Sequence, residues 1–555
     1  MFDWSLLFTL LPIVVILAML LIWKRPADVS GIVGWVVIAV VAVFAFQTTV
    51  EVVLRSTLAG FIRSFSVSLI VAASLLQMAF MEKTGAIRRI TVFLKTLSPA
   101  SRAAQIMMVN IGFGTLMVAV GATPVSILPP ILLAMGFSTY VAIALPAIGY
   151  DSLCTYALLG APIVAFVDIA NGFLRANPID GATALTLSQA GSVFFWFLPM
   201  TSTLIGLSML WIVGRWKAIR EGWVPCLLTG AVVGVVSYFT NRVENLVTLT
   251  GVFCGIAVIV AMMLYLKVTG RKLIDRGVLS EEDRRAEASM PLWRALSPWA
   301  LLIVLILALN LPKPLFELLY RQWTLPIFGL AANDATLYAA DVAKANMASL
   351  TNGIPTRALW SAYTWIFVSV LLAAPILKPS RTQWGDILRT WGRRAPRPVF
   401  STAIFFAIGE IMSMSGFQMQ QAQWSVPSMV KELADSSSSF FGQAYGAIAG
   451  FIGLLGGFLT GSEASTIGMF GKYALLTAKN LNLGLPQLTL VAAALAFGGG
   501  LASIISPAKL QNAAASIDKL GEENQVIRTA FAFSLLLTAC LSAYVVILLG
   551  ANLVI

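Results

Sequence analysis

The chain is built mainly from apolar runs about 20 residues long, the length at which a helix crosses a hydrocarbon core of roughly 30 Å. They recur from residues 6–23 to residues 531–549, with short polar stretches between them. This pattern predicts an all-α, polytopic membrane protein of about a dozen spans. Two segments depart from it in the same way. The first passes Gly112, Phe113 and Gly114, then Gly121, Ala122, Thr123 and Pro124, then Gly149, Tyr150, Asp151 and Ser152, and finally Gly160, Ala161 and Pro162. The second passes Gly456 and Gly457, then Gly461, Ser462, Glu463, Ala464 and Ser465, then Gly498, Gly499 and Gly500, and finally Ser506 and Pro507. An unpaired amide in lipid costs several kcal/mol, so Gly- and Pro-interrupted backbone belongs where it is buried in protein or lines a watery cavity. Each segment is therefore predicted to be a re-entrant hairpin followed by a broken transmembrane helix, over about residues 104–170 and 440–515.

Charge placement adds direction. Basic clusters at Lys24 and Arg25, at Arg88, Arg89, Lys95 and Arg102, at Arg215, Lys217 and Arg220, and in residues 267–285 and 378–397 all fall in short loops. They lie on one side, the cytoplasmic side, if the N-terminus is outside. The helix leading to Gly121 then starts inside and the helix leading to Gly461 starts outside, which predicts two inverted halves. We place the first half at residues 1–278, a cytoplasmic linker of alternating charge at 279–297, and the second half at 298–555. Residues 312–360, rich in Leu, Tyr, Trp, Pro and Gly, are expected at the external interface. Residues 6–23 read as the first span rather than a cleavable signal, because the run is long and leads through Lys24 and Arg25 into another apolar run.

Composition narrows the function classes. The chain is 58% hydrophobic and 11% charged, with mean hydropathy +0.86, far from soluble usage. Its net charge of +12 resides in membrane-flanking loops, so nucleic acid is not the expected partner. The four cysteines lie in apolar stretches without metal or disulfide spacing. With no histidine there is no Ser-His pair and little basis for a catalytic metal, so neither enzyme chemistry nor a cofactor is expected. An ion-conducting subunit of a membrane complex would need a continuous chain of charged residues, and the acids here are isolated.

Ionisable residues at membrane depth mark pathways by default. Four stand out: Glu463 among hydroxyls, Asp151 in an apolar setting, Glu410 within an apolar helix, and Lys509 just after Pro507. Each also has a structural reading. Glu463 or Asp151 could cap a helix, Glu410 could pair with a neighbouring helix, and Lys509 could snorkel to the surface. A half-helix starting at mid-membrane offers unpaired amides and a positive dipole end, which suits an anion. The expected substrate site comprises Gly121, Ala122, Thr123, Pro124 and Ser126 at one turn and Gly461, Ser462, Ser465 and Thr466 at the other. Tyr150, Asp151, Ser152, Ser506 and Lys509 complete it. Any coupled proton falls to a buried carboxylate, Glu463 or Glu410. Sodium is the competing coupling ion, because carboxylate, hydroxyl and carbonyl oxygens suit a hard cation.

At these residues the chain resembles the lactate permease family of bacterial inner-membrane carriers. Gly457, Phe458, Leu459, Thr460, Gly461, Ser462 and Glu463 are similar to that family's G-x-F-L-T-G-S-D stretch, and Ile505, Ser506 and Pro507 to its M-I-S-P-Q stretch. Weaker similarity covers Lys83 to Gly85, Ile111 to Gly114 and Gly160 to Ile163. The resemblance implies uptake of L-lactate, glycolate or a related short hydroxycarboxylate, driven by a proton gradient. It also implies a fold like the ion-transporter superfamily, with a mobile hairpin domain moving against a scaffold in an elevator-like manner, often in a homodimer. Three departures stand out. The family's first-half acidic Gly-rich motif is replaced by Ala119, Val120, Gly121, Ala122, Thr123 and Pro124. Its N-T-A-P stretch gives way to Tyr150, Asp151 and Ser152, and its Gly-Lys to Ala502 and Ser503, with Lys509 a shifted stand-in for that lysine.

Overall fold

The structure, a computed structural model, describes residues 4–23, 25–97, 101–149, 151–320, 323–325, 354–419, 423–519 and 521–551. Among the described residues helices make up 82% and strands 2%, so the class is all-α, as the apolar runs predict. Among the described residues, 11 helical stretches are long and apolar enough to span a membrane. Peripheral helices such as Trp4–Leu21 and Ala27–Phe44 leave Val14, Val36, Val40 and Phe44 exposed. In lipid those side chains meet hydrocarbon, and every backbone group within the helix is satisfied internally.

One stretch conceals a reversal. Leu198–Thr240 is helical throughout except at Gly214 (φ −158, ψ 22) and Arg215 (φ 54, ψ −144), where the chain folds back. Gly206 then faces Cys226 and Gly222 faces Leu210, while a Cβ at Gly230 would lie 1.9 Å from Thr203 Oγ1. The two antiparallel arms meet through small residues, as helices in lipid do when hydrophobic expulsion cannot drive them together. The basic residues Arg215, Lys217 and Arg220 flank the reversal, where a short loop was expected.

Both predicted interruptions are present. In the first segment a π-helical turn, Met107–Phe113, leads into Gly114–Ala119, and Gly121 (φ 89) breaks the helix before it resumes as Pro124–Ala134. Thr139–Ile148 follows and gives way to the 3-10 turn Asp151–Tyr156, after which helical geometry returns and runs to Ala176. In the second segment Tyr445–Thr460 ends at Gly461 (φ 79), and Glu463–Asn480 begins after Ser462. Leu485–Leu501 then passes through the 3-10 turn Ala502–Ile505 to Pro507–Ala515. The order of broken elements is the same in both segments.

The second segment is packed closely. A Cβ at Gly453 would lie 1.8 Å from the Leu495 carbonyl oxygen, and one at Gly457 2.1 Å from that of Gly499. Helices 445–460 and 485–501 therefore touch backbone to backbone. Outside this core, Glu281–Ser289 and Arg381–Arg394 are polar helices, each opened by a capping box, Ser280 with Asp283 and Ser380 with Gln383. Among the described residues there are two short antiparallel strand pairs, Trp323–Leu325 with Ile354–Thr356 and Phe417–Gln418 with Gln423–Trp424. Tyr150, and most of the 312–360 segment expected at the external interface, lie outside the described residues.

Candidate functional site

The interruptions converge through two side-chain bonds. Asp151 opens the 3-10 turn of the first segment and is fully buried, and Ser503, in the 3-10 turn of the second, donates its hydroxyl to Asp151 Oδ1 at 2.5 Å. Glu463 is the first residue of its helix and 4% exposed, and Thr155 from the first segment donates to Glu463 Oε1 at 2.7 Å. Each segment therefore holds the other's acid with a hydroxyl. Asp151 and Glu463 interact electrostatically, and so do Asp151 and Lys509. Asp151 Oδ2, Ser152 Oγ and Glu463 Oε2 are buried without a hydrogen-bond partner. Groups in that condition cost free energy unless something fills the place beside them.

Local backbone geometry sets this up. Three consecutive residues after the 3-10 turn, Leu158, Leu159 and Gly160, are left-handed with φ 53, 55 and 76. For a leucine this costs about 1–2 kcal/mol, and such strain persists only where packing determines it. Gly160 presses on Thr248, and the Tyr156 hydroxyl donates to Asn241 Oδ1 at 2.7 Å. On the other side, Gly500 supplies room: a Cβ there would lie 2.7 Å from Glu463 Oε2 and 2.2 Å from Cys154 Sγ. A cavity lined in part by Ser66, Leu159, Ala161, Val164, Asn310 and Trp360 adjoins the left-handed turn rather than the acids.

The remaining expected site residues divide between caps and separate surroundings. Ser462 Oγ accepts from the Ser465 amide at 3.1 Å and donates to Ser465 Oγ at 2.8 Å, and Thr466 Oγ1 donates to the Ser462 carbonyl at 2.9 Å. These hydroxyls cap the helix that carries Glu463. At the other turn, Thr123 stands at the helix start without a side-chain cap bond, Ser126 is exposed, and Gly121 packs on Ser74. Among the described residues no hydrogen bond joins 121–126 to 461–466; the second turn meets the first segment's broken helix instead. Helix Pro124–Ala134, with Ala122 and Thr123 at its entrance, packs against Pro507–Ala515, which carries Lys509. Ser506 is buried and its amide bonds the Ser503 carbonyl at 3.2 Å. Glu410 is held elsewhere, with Lys472 Nζ at 2.9 Å and Arg63 Nε at 3.3 Å from its Oε1. That is the neighbouring-helix pairing named above as its structural alternative.

A family model described as L-lactate permease matches residues 5–553. The chain belongs to the L-lactate permease family. Glycolate permease GlcA of Escherichia coli (strain K12) is 23% identical over 559 residues, covering 96% of this chain and 93% of its own. L-lactate permease of Bacillus subtilis (strain 168) is 23% identical over 567 residues, covering 97% and 95%. Among solved structures, that of MtrF from Neisseria gonorrhoeae is similar over 89% of this chain and 83% of its own, at 14% identity and TM-score 0.40. Membership in the L-lactate permease family makes this chain a multi-pass membrane transporter rather than an enzyme.

Several residues around the two acids have no site role in the sequence reading. Thr155 and Ser503 supply the bonds to the two acids, Cys154 and Gly500 shape the space around Glu463, and Tyr156 with Asn241 braces the turn. A sequence signal existed for Thr155, since Asp151, Ser152, Thr155 and Tyr156 form a dense polar stretch between two apolar half-helices. Nothing local pairs Ser503 with Asp151 or Asn241 with Tyr156, which lie 352 and 85 residues apart.

Proposed function

We propose that this protein carries a small organic anion, L-lactate, glycolate or a related short 2-hydroxycarboxylate, across the bacterial inner membrane by proton symport. The names of the relatives supply the substrate class. The observation that carries the site is the cross-bracing of Asp151 by Ser503 and of Glu463 by Thr155, where the two interrupted segments meet inside the bundle. In this reading residues 1–278 and 298–555 are inverted halves joined by 279–297, and each interruption is a re-entrant hairpin plus a broken helix. The hairpin-bearing elements move against the outer helices in an elevator-like cycle, with a homodimer as the working assembly.

The anion sits between the start of helix 124–134, with Gly121, Ala122, Thr123, Pro124 and Ser126, and the region of Gly461, Ser462, Ser465, Thr466 and Ser506. Lys509 supplies positive charge, Tyr150 and Ser152 flank Asp151, and the amides at the two helix starts supply donors. Glu463 carries the coupled proton, because the ion pair with Lys472 and Arg63 occupies Glu410. One observation favours a sodium-coupled cycle as the second reading: the unpartnered oxygens of Asp151, Ser152 and Glu463 are ligands of the type a hard cation takes.

Purified protein in proteoliposomes tests both. Uptake of labelled L-lactate or glycolate is expected to be driven by an inward proton gradient with sodium absent. Uptake that follows a sodium gradient and ignores pH selects the second reading, and no uptake of any short hydroxycarboxylate sinks both.

A further inference from the structure

Two carboxylic acids are buried in one region of this molecule, and they belong to opposite segments. Asp151 is 0% and Glu463 4% exposed, each accepts one hydroxyl from the other's segment, and each keeps one oxygen without a partner. The Ser152 hydroxyl, also fully buried, has no partner either. Lys509 acts on Asp151, and the two acids act on each other. The other titratable groups facing the pair are Cys154 and Tyr156, and Tyr156 is already committed to Asn241. On the helices packed against 463–480, Glu410 is committed to Lys472 and Arg63.

We propose that Asp151 and Glu463 are one shared proton site, which carries a single proton with each anion while Lys509 offsets the charge that remains. The inference rests on the proton-coupled reading above and extends it, because it gives Asp151 a coupling role rather than a substrate contact alone. Two like charges that act on each other in a buried setting disfavour simultaneous ionisation, and their protons belong to the pair rather than to either acid. With both acids ionised, the cluster with Lys509 has one net negative charge. When one proton and one monocarboxylate enter together, the net charge stays the same. Loaded and empty forms then carry equal charge through the membrane, and the cycle is electroneutral: one O–H bond forms on the pair as the proton enters and breaks as it leaves.

The test uses purified full-length protein in proteoliposomes, with labelled L-lactate and an internal pH-sensitive dye. If the unmodified protein takes up no carboxylate, the proposed function fails and the pair is not at issue. If it transports, one proton per anion and indifference to an imposed membrane potential are expected; two protons per anion, or a rate that follows the potential, overturns the shared site. Asp151→Asn and Glu463→Gln are each expected to lower gradient-driven uptake by about tenfold or more, and the double variant is expected to match the singles. Full gradient-driven uptake in Asp151→Asn, or a double loss equal to the product of the singles, overturns the proposal. Should Asp151→Asn fail to elute as a single folded species, Ser503→Ala replaces it, since both acids remain and only the bond to Oδ1 is lost. That variant is expected to move the pH of half-maximal uptake by about half a unit or more, and an unmoved profile counts against the pair.

Discussion

Gly500 is decided by what lies next to it. Its α-carbon faces both the Glu463 carboxylate and the Cys154 thiol, and the methyl group of an alanine would overlap both. Overpacking a close-packed site costs about 1–3 kcal/mol, so Gly500→Ala is expected to lower the melting temperature in detergent and to depress uptake. Cys154→Ala in the same chain removes one of the two clashes and should recover part of the stability, as a fluorescence-monitored melt would show. Full recovery would mean that the carboxylate does not crowd Gly500. At Gly461, by contrast, a Cβ would meet nothing within 4 Å, and the left-handed φ of 79 alone selects glycine.

Short elements outside the bundle follow simpler rules. Glu281–Ser289 docks on Ala86–Lys95 through Lys95 Nζ and Asp283 Oδ1 at 2.9 Å, through a contact between Arg88 and Glu282, and through Arg89 Nε to the Met290 carbonyl at 2.9 Å. Partial burial works to raise the Asp283 carboxyl, but hydrogen bonds from Lys95 and Ser280 outweigh it and hold the group below its ordinary 3.8. A depressed carboxyl adds stability that is complete above its unfolded value and lost as pH falls through the folded one. Docking of 281–289 should therefore be constant from neutral pH down to about 4 and loosen only below that. Hydrogen exchange of residues 281–289 measures this, and Asp283→Asn should raise exchange already at pH 7. Equal exchange in the variant and the parent would remove the ion pair from the docking.

Across the whole molecule, buried charge ties separate helices together. Glu410 on Pro396–Met414 links to Lys472 on Glu463–Asn480 and to Arg63 at the end of Val50–Arg63, with Lys472 only 3% and Glu410 4% exposed. Removing one partner of a buried pair costs about 3–5 kcal/mol because the other charge stays desolvated. Glu410→Gln is expected to lower thermal stability strongly while the surviving folded fraction keeps its proton-gradient dependence. Loss of gradient dependence with unchanged stability would return Glu410 to the coupling machinery. The same helix, 463–480, carries Glu463 at its start, so this ion pair anchors one face of the element that holds the candidate site.

The sequence by itself determined the class and the breakpoints. Apolar runs of spanning length need no partner to define helices in lipid, and Gly and Pro impose their backbone preferences locally, which is why Gly121, Pro124, Gly461 and Pro507 mark the interruptions found. Asp151 and Glu463 stood out for the same reason, since an acid in an apolar stretch is costly wherever it ends up. Pairing was decided only by tertiary structure. That Thr155 serves Glu463 across 308 residues, that Ser503 serves Asp151, that Glu410 is paired away from them, and that residues 198–240 fold back on themselves all depend on which backbones approach each other. Such approaches arise from packing among distant helices, and no local preference along the chain encodes them.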